Sequence, residues 1–343
     1  MEETHEYYQR VNEYLKRKFS LDKSRMGCFA HMVMALIKVR TVNLVESACA
    51  FCSTAKRESR YKRIKRFFRQ APIALSSIAL WVINLFGLLN TPVYLSLDRT
   101  NWYWGKNDIN ILMLSVVYKG IGLPVFWRLL PKFGNSNTRE RIELINRFIG
   151  RLGKSRIAGL LADREFVGND WIGWLLKEKI PFCLRLKNNT ITTNSRGVEV
   201  DIDALFFMIC PLENNVYCRA NENCGNKKFI YPGCRWQIET LFGCLKSKGF
   251  GFEETSLTKP ERIEKLIVLL TITFCWAHRT GEWRHEEKAI VIKKHGRKLQ
   301  SYFRYGLDYL RDILLNEIYQ TTDKFSKSLN LLKFNMKLER LTL

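Results

Sequence analysis

Three carboxylates and two cations are placed where they could do chemistry together: Asp98, Asp163, Glu239, Arg235 and Lys246. Asp98 follows the apolar run 93–97, and Asp163 follows the apolar run 157–162, both of which read as strands. Strand ends are where α/β folds usually place their sites. Carboxylates there offer the hard oxygen ligands that Mg²⁺ or Mn²⁺ takes. A lone aspartate after a strand is equally a turn or cap residue; two of them in a strongly basic chain are more suggestive. Glu239 lies in a helical stretch, 235–245. With Arg235 set at 0°, Glu239 falls at about 40° and Lys246 at about 20°, while Ile238, Leu241, Phe242 and Leu245 fall between about 240° and 340°. A carboxylate flanked by two phosphate-binding cations would therefore form a ridge beside an apolar face. An ordinary amphipathic helix with charge pairing would share this pattern. Three carboxylates holding two divalent ions can clamp an in-line displacement at phosphorus, first by water and then by a 3′-hydroxyl.

The elements that must position these residues follow from periodicity. Residues 93–97, 109–118 and 123–130 read as three strands, with a polar link at 99–108 and a turn at 119–122. A helix at 138–152, a strand at 157–162, a helix at 168–179 and a strand at 182–186 follow. The order βββαβαβ predicts an α/β domain with a mixed sheet. Residues 188–231 lack periodicity, and no buried strand is expected in 208–230. Helical patterns return at 235–245, 260–278 and 299–315. Residues 1–90 read as helical and carry a basic run, Lys56, Arg57, Arg60, Lys62, Arg63, Lys65, Arg66 and Arg69, opposed only by Glu58. Phe67 and Phe68 give that run an apolar side, so it suits DNA as a basic amphipathic helix.

Composition bounds the partner. The chain has 343 residues, 56 Lys and Arg against 33 Asp and Glu, and a formal net charge of +23. Its 46% hydrophobic content excludes a disordered chain, and its charge favours a polyanion, for which nucleic acid is the default. The ten cysteines are expected to be reduced, because a chain of this size does not need disulfides. Neither the Cys49/Cys52 pair nor Cys210, Cys218, Cys224 and Cys234 has the spacing of a zinc site. Trp102 and Trp104 could stack on bases but are expected to pack. The start, Met1-Glu2-Glu3-Thr4-His5-Glu6, lacks a basic then apolar leader, so an intracellular protein is expected. Two apolar stretches, 73–89 and 266–276, are expected to be core helices rather than membrane spans.

Four blocks in order resemble the DDE transposases of the insertion-sequence IS-four type. They are Leu97-Asp98-Arg99-Thr100-Asn101-Trp102, Leu129-Leu130-Pro131-Lys132-Phe133-Gly134-Asn135-Ser136-Asn137-Thr138, Leu160-Leu161-Ala162-Asp163-Arg164-Glu165-Phe166, and Arg235-Trp236-Gln237-Ile238-Glu239 with Lys246. The last matches the family's spacing of Arg, three residues, Glu, six residues, Lys. The likeness spans roughly residues 30–280. It implies a ribonuclease-H-like mixed sheet with flanking helices, preceded by a helical DNA-binding region. Residues 1–90 would then be that region, 91–187 and 232–285 the two parts of the core, 188–231 a shortened insertion, and 286–343 a basic helical tail. It further implies that Asp98, Asp163 and Glu239 bind Mg²⁺, two ions with Mn²⁺ as a substitute. Arg235, Lys246, Tyr231, Arg60, Lys62, Arg63 and Arg66 would contact DNA. The implied activity is 3′-end cleavage at terminal inverted repeats and strand transfer into target DNA, by a homodimeric synaptic complex in the bacterial cytoplasm, nucleoid-associated when bound. Two departures mark this chain: Pro232 stands where the family's tyrosine is expected, Tyr231 being one residue earlier, and the 208–230 segment is irregular. They leave open an impaired copy that only binds DNA.

Overall fold

The computed structural model describes residues 2–105, 107–186, 191–193, 199–201, 216–220, 236–316 and 321–333. Tyr231, Pro232, Arg235, Cys210, Cys224 and Cys234, and most of 188–231, lie outside the described residues. The chain forms two compact units that interleave along the sequence: 88–101 with 110–241, and 1–87 with 102–109 and 242–343.

The first unit is built on a mixed sheet. Its strands are β1 (Val93–Trp104), β2 (Asn107–Tyr118), β3 (Ile121–Leu130), β4 (Ile157–Ala162), β5 (Phe182–Leu186) and β8 (Val216–Ala220), ordered β3-β2-β1-β4-β5-β8. β4 is parallel to both β1 and β5; β3 is antiparallel to β2, and β8 to β5. A separate pair, β6 (Ile191–Thr193) and β7 (Glu199–Asp201), is antiparallel. Helices α6 (Thr138–Leu152) and α7 (Asn169–Lys177) follow β3 and β4. Asn137 starts α6 through a capping box, its side chain accepting from the Glu140 N–H while the Glu140 carboxylate accepts from the Asn137 N–H. Pro124 has no N–H to donate and lies on an edge strand, beside a register shift at Leu114/Ser115 that accommodates it.

Three expectations change here. The stretch 99–108 is not a link: β1 runs on to Trp104, Gly105 turns with φ of 58°, and β2 begins at Asn107. Thr100, Trp102, Tyr103 and Trp104 favour an extended backbone, which outweighs the polar residues between them. Asp98 accordingly sits inside a strand and not at its end. Third, a strand, β8, does form within 208–230; Val216 and Tyr217 suit it, and pairing with the β5 edge supplies what local pattern did not.

The second unit is helical: α1 (Glu2–Lys18), α2 (Lys23–Val39), α3 (Leu44–Cys49), α4 (Arg57–Gln70), α5 (Leu75–Leu85), α9 (Pro260–Glu287), α10 (Tyr302–Leu315) and α11 (Thr321–Asn330). Pro260 opens α9, where its missing N–H costs nothing. Residues 266–278 are buried on every face of α9, which makes it the central helix of this unit. α10 packs so closely on it that a Cβ at Gly306 would stand 1.8 Å from the Ala277 carbonyl oxygen. α9 extends beyond the expected 260–278, and α11 lies within the stretch 286–343 expected as a helical tail, beyond the periodic 299–315. α5 is also largely buried, and among the described residues no single helix is long and apolar enough to cross a membrane.

His31 of α2 is buried between the rings of Tyr8 and Phe51, with centroids 3.9 and 4.8 Å away. Burial first, then the nearby Arg63 charge, pushes its pKa from 6.5 down to about 3. The imidazole is thus neutral in the fold, whereas in the unfolded chain it takes a proton near pH 6.5. Its contribution to stability is complete above about pH 6.5 and falls by roughly 1.4 kcal/mol per pH unit as acid is added toward about pH 3. Urea unfolding of wild type and His31→Phe between about pH 7 and pH 4 should show the wild type losing stability faster; parallel curves would refute this.

Candidate active site

The in-register pairing of β1 and β4 brings two carboxylates to one level. Ser96 faces Leu161 and Leu97 faces Ala162, and the residues that follow are Asp98 and Asp163. Neighbouring strands stand about 4.8 Å apart, so the two side chains leave adjacent positions. Each is half-buried. Each also accepts at Oδ1 the N–H of the next residue, Arg99 at 2.7 Å and Arg164 at 2.8 Å. The same local contact therefore orients both carboxylates. The parallel ladder ends at this point, while β1 itself continues.

Glu239 is carried by a short helix, α8 (Gln237–Leu245). Its apolar face is as expected: Ile238, Leu241 and Leu245 are fully buried and Phe242 nearly so, while Glu239 is exposed. Two contacts anchor the start of α8 on the β2–β3 hairpin. The Gln237 side-chain oxygen accepts the Tyr118 N–H at 3.0 Å. Gly122 lets the helix backbone approach, because a Cβ there would stand 3.1 Å from the Ile238 Cα and 2.8 Å from the Ser115 hydroxyl. That hydroxyl in turn donates to the Ser96 carbonyl, two residues before Asp98. Among the described residues, however, no three His, Cys, Asp or Glu side chains stand close enough together to hold a metal ion. The donor chemistry of the two aspartates fits a hard divalent cation; Glu239 is not gathered with them.

A polar network that spacing alone did not reveal ties the two aspartate-bearing segments together. The Arg99 guanidinium meets the Glu165 carboxylate at 3.3 Å, crossing from just beyond Asp98 to just beyond Asp163. It also donates to the side-chain oxygens of Asn101, Asn110 and Asn135. Asn110 donates to the Lys132 and Gly134 carbonyls, both at 2.9 Å. Arg141, buried, donates to the Ser136 hydroxyl and carbonyl and to the Glu165 carbonyl, and lies over the Phe166 ring. Burial holds the Arg141 pKa below its ordinary value despite the opposing Glu165 and Glu140 charges. The sequence blocks at 129–138 and 160–166 therefore share a structural role: their turns are fastened to one another around Arg99 and Arg141. The signal was present as charged residues inside those blocks, but their partners are distant in sequence.

The cations divide into two groups. Arg60 is turned inward, donating to the carbonyls of Ala48, Cys49, Phe51 and Ala55, which caps the end of α3. Arg63 donates to the Ser24 carbonyl at 3.0 Å. Lys62 and Arg66 are exposed, as are Lys65 and Arg69. At about 100° per residue these four fall within one stripe of about 100°, opposite the buried Ile64, Phe67 and Phe68. Lys246 pairs with Glu253 at 2.6 Å and stands 5.3 Å from the centroid of Trp102. Trp102 is buried and packs edge-on against Phe252, as expected of a packing residue; Trp104 is exposed. Tyr231 and Arg235 lie outside the described residues.

A sheet in the order β3-β2-β1-β4-β5, with aspartates leaving β1 and β4 together, is a ribonuclease-H-like arrangement. The family model described as the transposase DDE domain matches residues 91–276, more than half of the chain, and the chain belongs to that family. No curated protein matches it. Membership makes DNA the class of substrate and metal-dependent DNA cleavage the class of chemistry.

The Arg99–Glu165 pair is mostly buried, so removing either partner leaves a charge with poor solvation. Arg99→Ala and Glu165→Ala should each cost about 1–3 kcal/mol. The double variant should cost less than the sum, because the two residues share one interaction. Chemical denaturation of the four proteins measures this; strictly additive losses would show that the pair does not couple the strand ends.

Proposed function

We propose that this protein is a transposase that binds the terminal inverted repeats of its element, cleaves the 3′ ends and joins them to target DNA. The observation that carries the reading is the placement of Asp98 and Asp163 side by side, inside the region matched by the transposase DDE domain. In this reading Asp98 and Asp163 hold Mg²⁺, or Mn²⁺ in its place, with Glu239 as the third carboxylate and two ions in the complete site. When bound, such ions supply a nucleophile at neutral pH and stabilise the leaving oxygen.

The chain's own residues prepare that chemistry. The N–H groups of Arg99 and Arg164 orient the two carboxylates. The Arg99–Glu165 pair joins the segments that follow the two aspartates. The exposed stripe of Lys62, Lys65, Arg66 and Arg69 is the better candidate for phosphate contact on α4, because Arg60 and Arg63 already hold backbone carbonyls. Lys246 would meet DNA by exchanging Glu253 for a phosphate; Arg235 and Tyr231 would act near the cleaved bond. Two ends in one synaptic complex imply two protomers, acting in the bacterial cytoplasm at the nucleoid.

One observation favours a second reading, in which the copy binds DNA but cleaves poorly: Glu239 is not grouped with the aspartates among the described residues. A labelled duplex carrying the element's own terminal repeat separates the two readings. With Mg²⁺ or Mn²⁺ the wild type should nick at the repeat end. Glu239→Gln should reduce nicking by more than about 100-fold, beyond the 10–100-fold that supporting residues of a metal site carry. Repeat-specific binding without nicking would establish the second reading, and binding that ignores salt would remove DNA phosphate as the partner altogether.

A further inference from the structure

Between α9 and α10 the chain makes a small hairpin in the helical unit that neither the family match nor the four sequence blocks include. Ile292 bridges to Lys298 in antiparallel fashion, and the Leu299 N–H donates to the Val291 carbonyl at 2.8 Å. At the tip the Lys293 N–H donates to the Arg297 carbonyl at 2.8 Å, and the Gly296 N–H to the Lys293 carbonyl at 2.9 Å. Gly296 has φ of 77°, the left-handed conformation that a three-residue hairpin loop needs in its last position. The Arg297 N–H also donates to the His295 Nδ1 at 3.3 Å, which tightens the tip.

The base of the hairpin is fastened to its flanking helices. The Ile290 N–H donates to the His285 Nδ1 at 2.9 Å, and the Tyr305 hydroxyl to the Lys288 carbonyl at 3.2 Å. Lys298 folds back over the Tyr302 ring and donates to its hydroxyl. The tip is thus a held projection. It presents Lys293, Lys294 and Arg297, all exposed, with His295 among them. Beside them Val291, Ile292 and Leu299 are exposed by 65%, 66% and 54%, which is unusual for three aliphatic side chains in one short hairpin. No Asp or Glu occurs between Glu287 and Asp308 to offset the charge.

We infer that this hairpin is a second DNA-binding element: Lys293, Lys294 and Arg297 meet the phosphates of duplex DNA, and the aliphatic side chains lie against the sugars. The choice of polyanion rests on the transposase reading. Phosphate contacts fix position and carry no sequence information, so the hairpin strengthens binding to any duplex and leaves recognition of the repeat to other residues. An anionic membrane surface would also attract a basic hairpin with exposed aliphatics, and the test separates the two.

The full chain, K293A/K294A/R297A and the charge-conserving K293R/K294R/R297K are compared by fluorescence anisotropy on terminal-repeat and scrambled duplexes without divalent metal, across a salt series. The alanine variant should bind both duplexes about tenfold or more weakly and show a salt slope shallower by about 2 to 3, whereas the charge-conserving variant should bind like wild type. Unchanged affinity and slope in the alanine variant would overturn the assignment. So would loss confined to the repeat duplex, or lost binding to phosphatidylserine-containing vesicles with duplex binding intact. Because binding is read without cleavage, a chain that never nicks but shows the expected loss keeps the hairpin assignment while the transposase reading fails.

Discussion

Everything at the candidate site depends on the parallel register between β1 and β4. A shift of one residue would turn one aspartate to the opposite face of the sheet. That register cannot be set by a local turn, because parallel strands require a crossover connection. Here the crossover runs through β2, β3 and α6, so the contacts that fix those elements also fix the aspartates. The α6 capping box, the Arg141 contacts to Ser136 and Glu165, and the Asn110 contacts to the 132–134 turn all belong to this crossover. The Arg99–Glu165 pair joins β1 to the turn that follows β4. The chain at 131–137, with little regular structure, is therefore held by side-chain contacts from Arg99, Asn110 and Arg141.

The net charge of +23 is used in two physically distinct ways. Arg60, Arg63 and Arg141 serve as internal donors to backbone carbonyls: Arg60 and Arg141 reach carbonyls at a helix end and a turn, and Arg63 adds a donor to the Ser24 carbonyl in the first turn of α2. The guanidinium suits that work, since one planar group can reach several carbonyls. Lys62, Lys65, Arg66 and Arg69 instead stand in solvent on one stripe. Counting both groups as DNA contacts would overstate the binding surface of α4. A carbonyl-bonded arginine still adds to the long-range field that steers a polyanion, but it has fewer donors left for a phosphate.

Much of this was legible in the sequence. The strands 157–162 and 182–186 and the helix 138–152 were readable to the residue, because apolar periodicity marks them. The apolar face of α8 was equally plain. The continuation of β1 through Trp104 was hidden because its side chains alternate between large aromatics and polar groups, and what holds it extended is pairing with β2. β8 was hidden for the same reason, as five residues whose role exists only against β5. Among candidate site residues, Asp98 and Asp163 could be picked out because each follows an apolar run, and Glu239 because it shares a helical ridge with Arg235 and Lys246. Arg99, Asn110, Glu165 and Arg141 could not be joined into one network, since no local pattern encodes a contact spanning the crossover. The inward turn of Arg60 had a weak signal, its position on the stripe opposite Lys62 and Arg66, and that signal was masked by the density of charge around it.

A basic chain that carries paired carboxylates at its candidate site faces a problem of sign. In the proposed reaction a phosphodiester drawn in by the cations would meet like charge at Asp98 and Asp163, and two ionised carboxylates there would also repel each other across neighbouring strands. The N–H groups that each accepts from the next residue reduce this repulsion but do not reverse it. A divalent cation does reverse it, because it is then the largest local charge and turns a repulsive pair of carboxylates into an attractive site for phosphate. The same electrostatics bear on the contact that joins the two aspartate-bearing segments. Two like charges brought to one level repel, and the Arg99–Glu165 contact adds an attraction between the segments that follow them. The metal dependence of the family and the structural network around Arg99 thus answer one physical demand: holding two negative groups together until a phosphate can approach them.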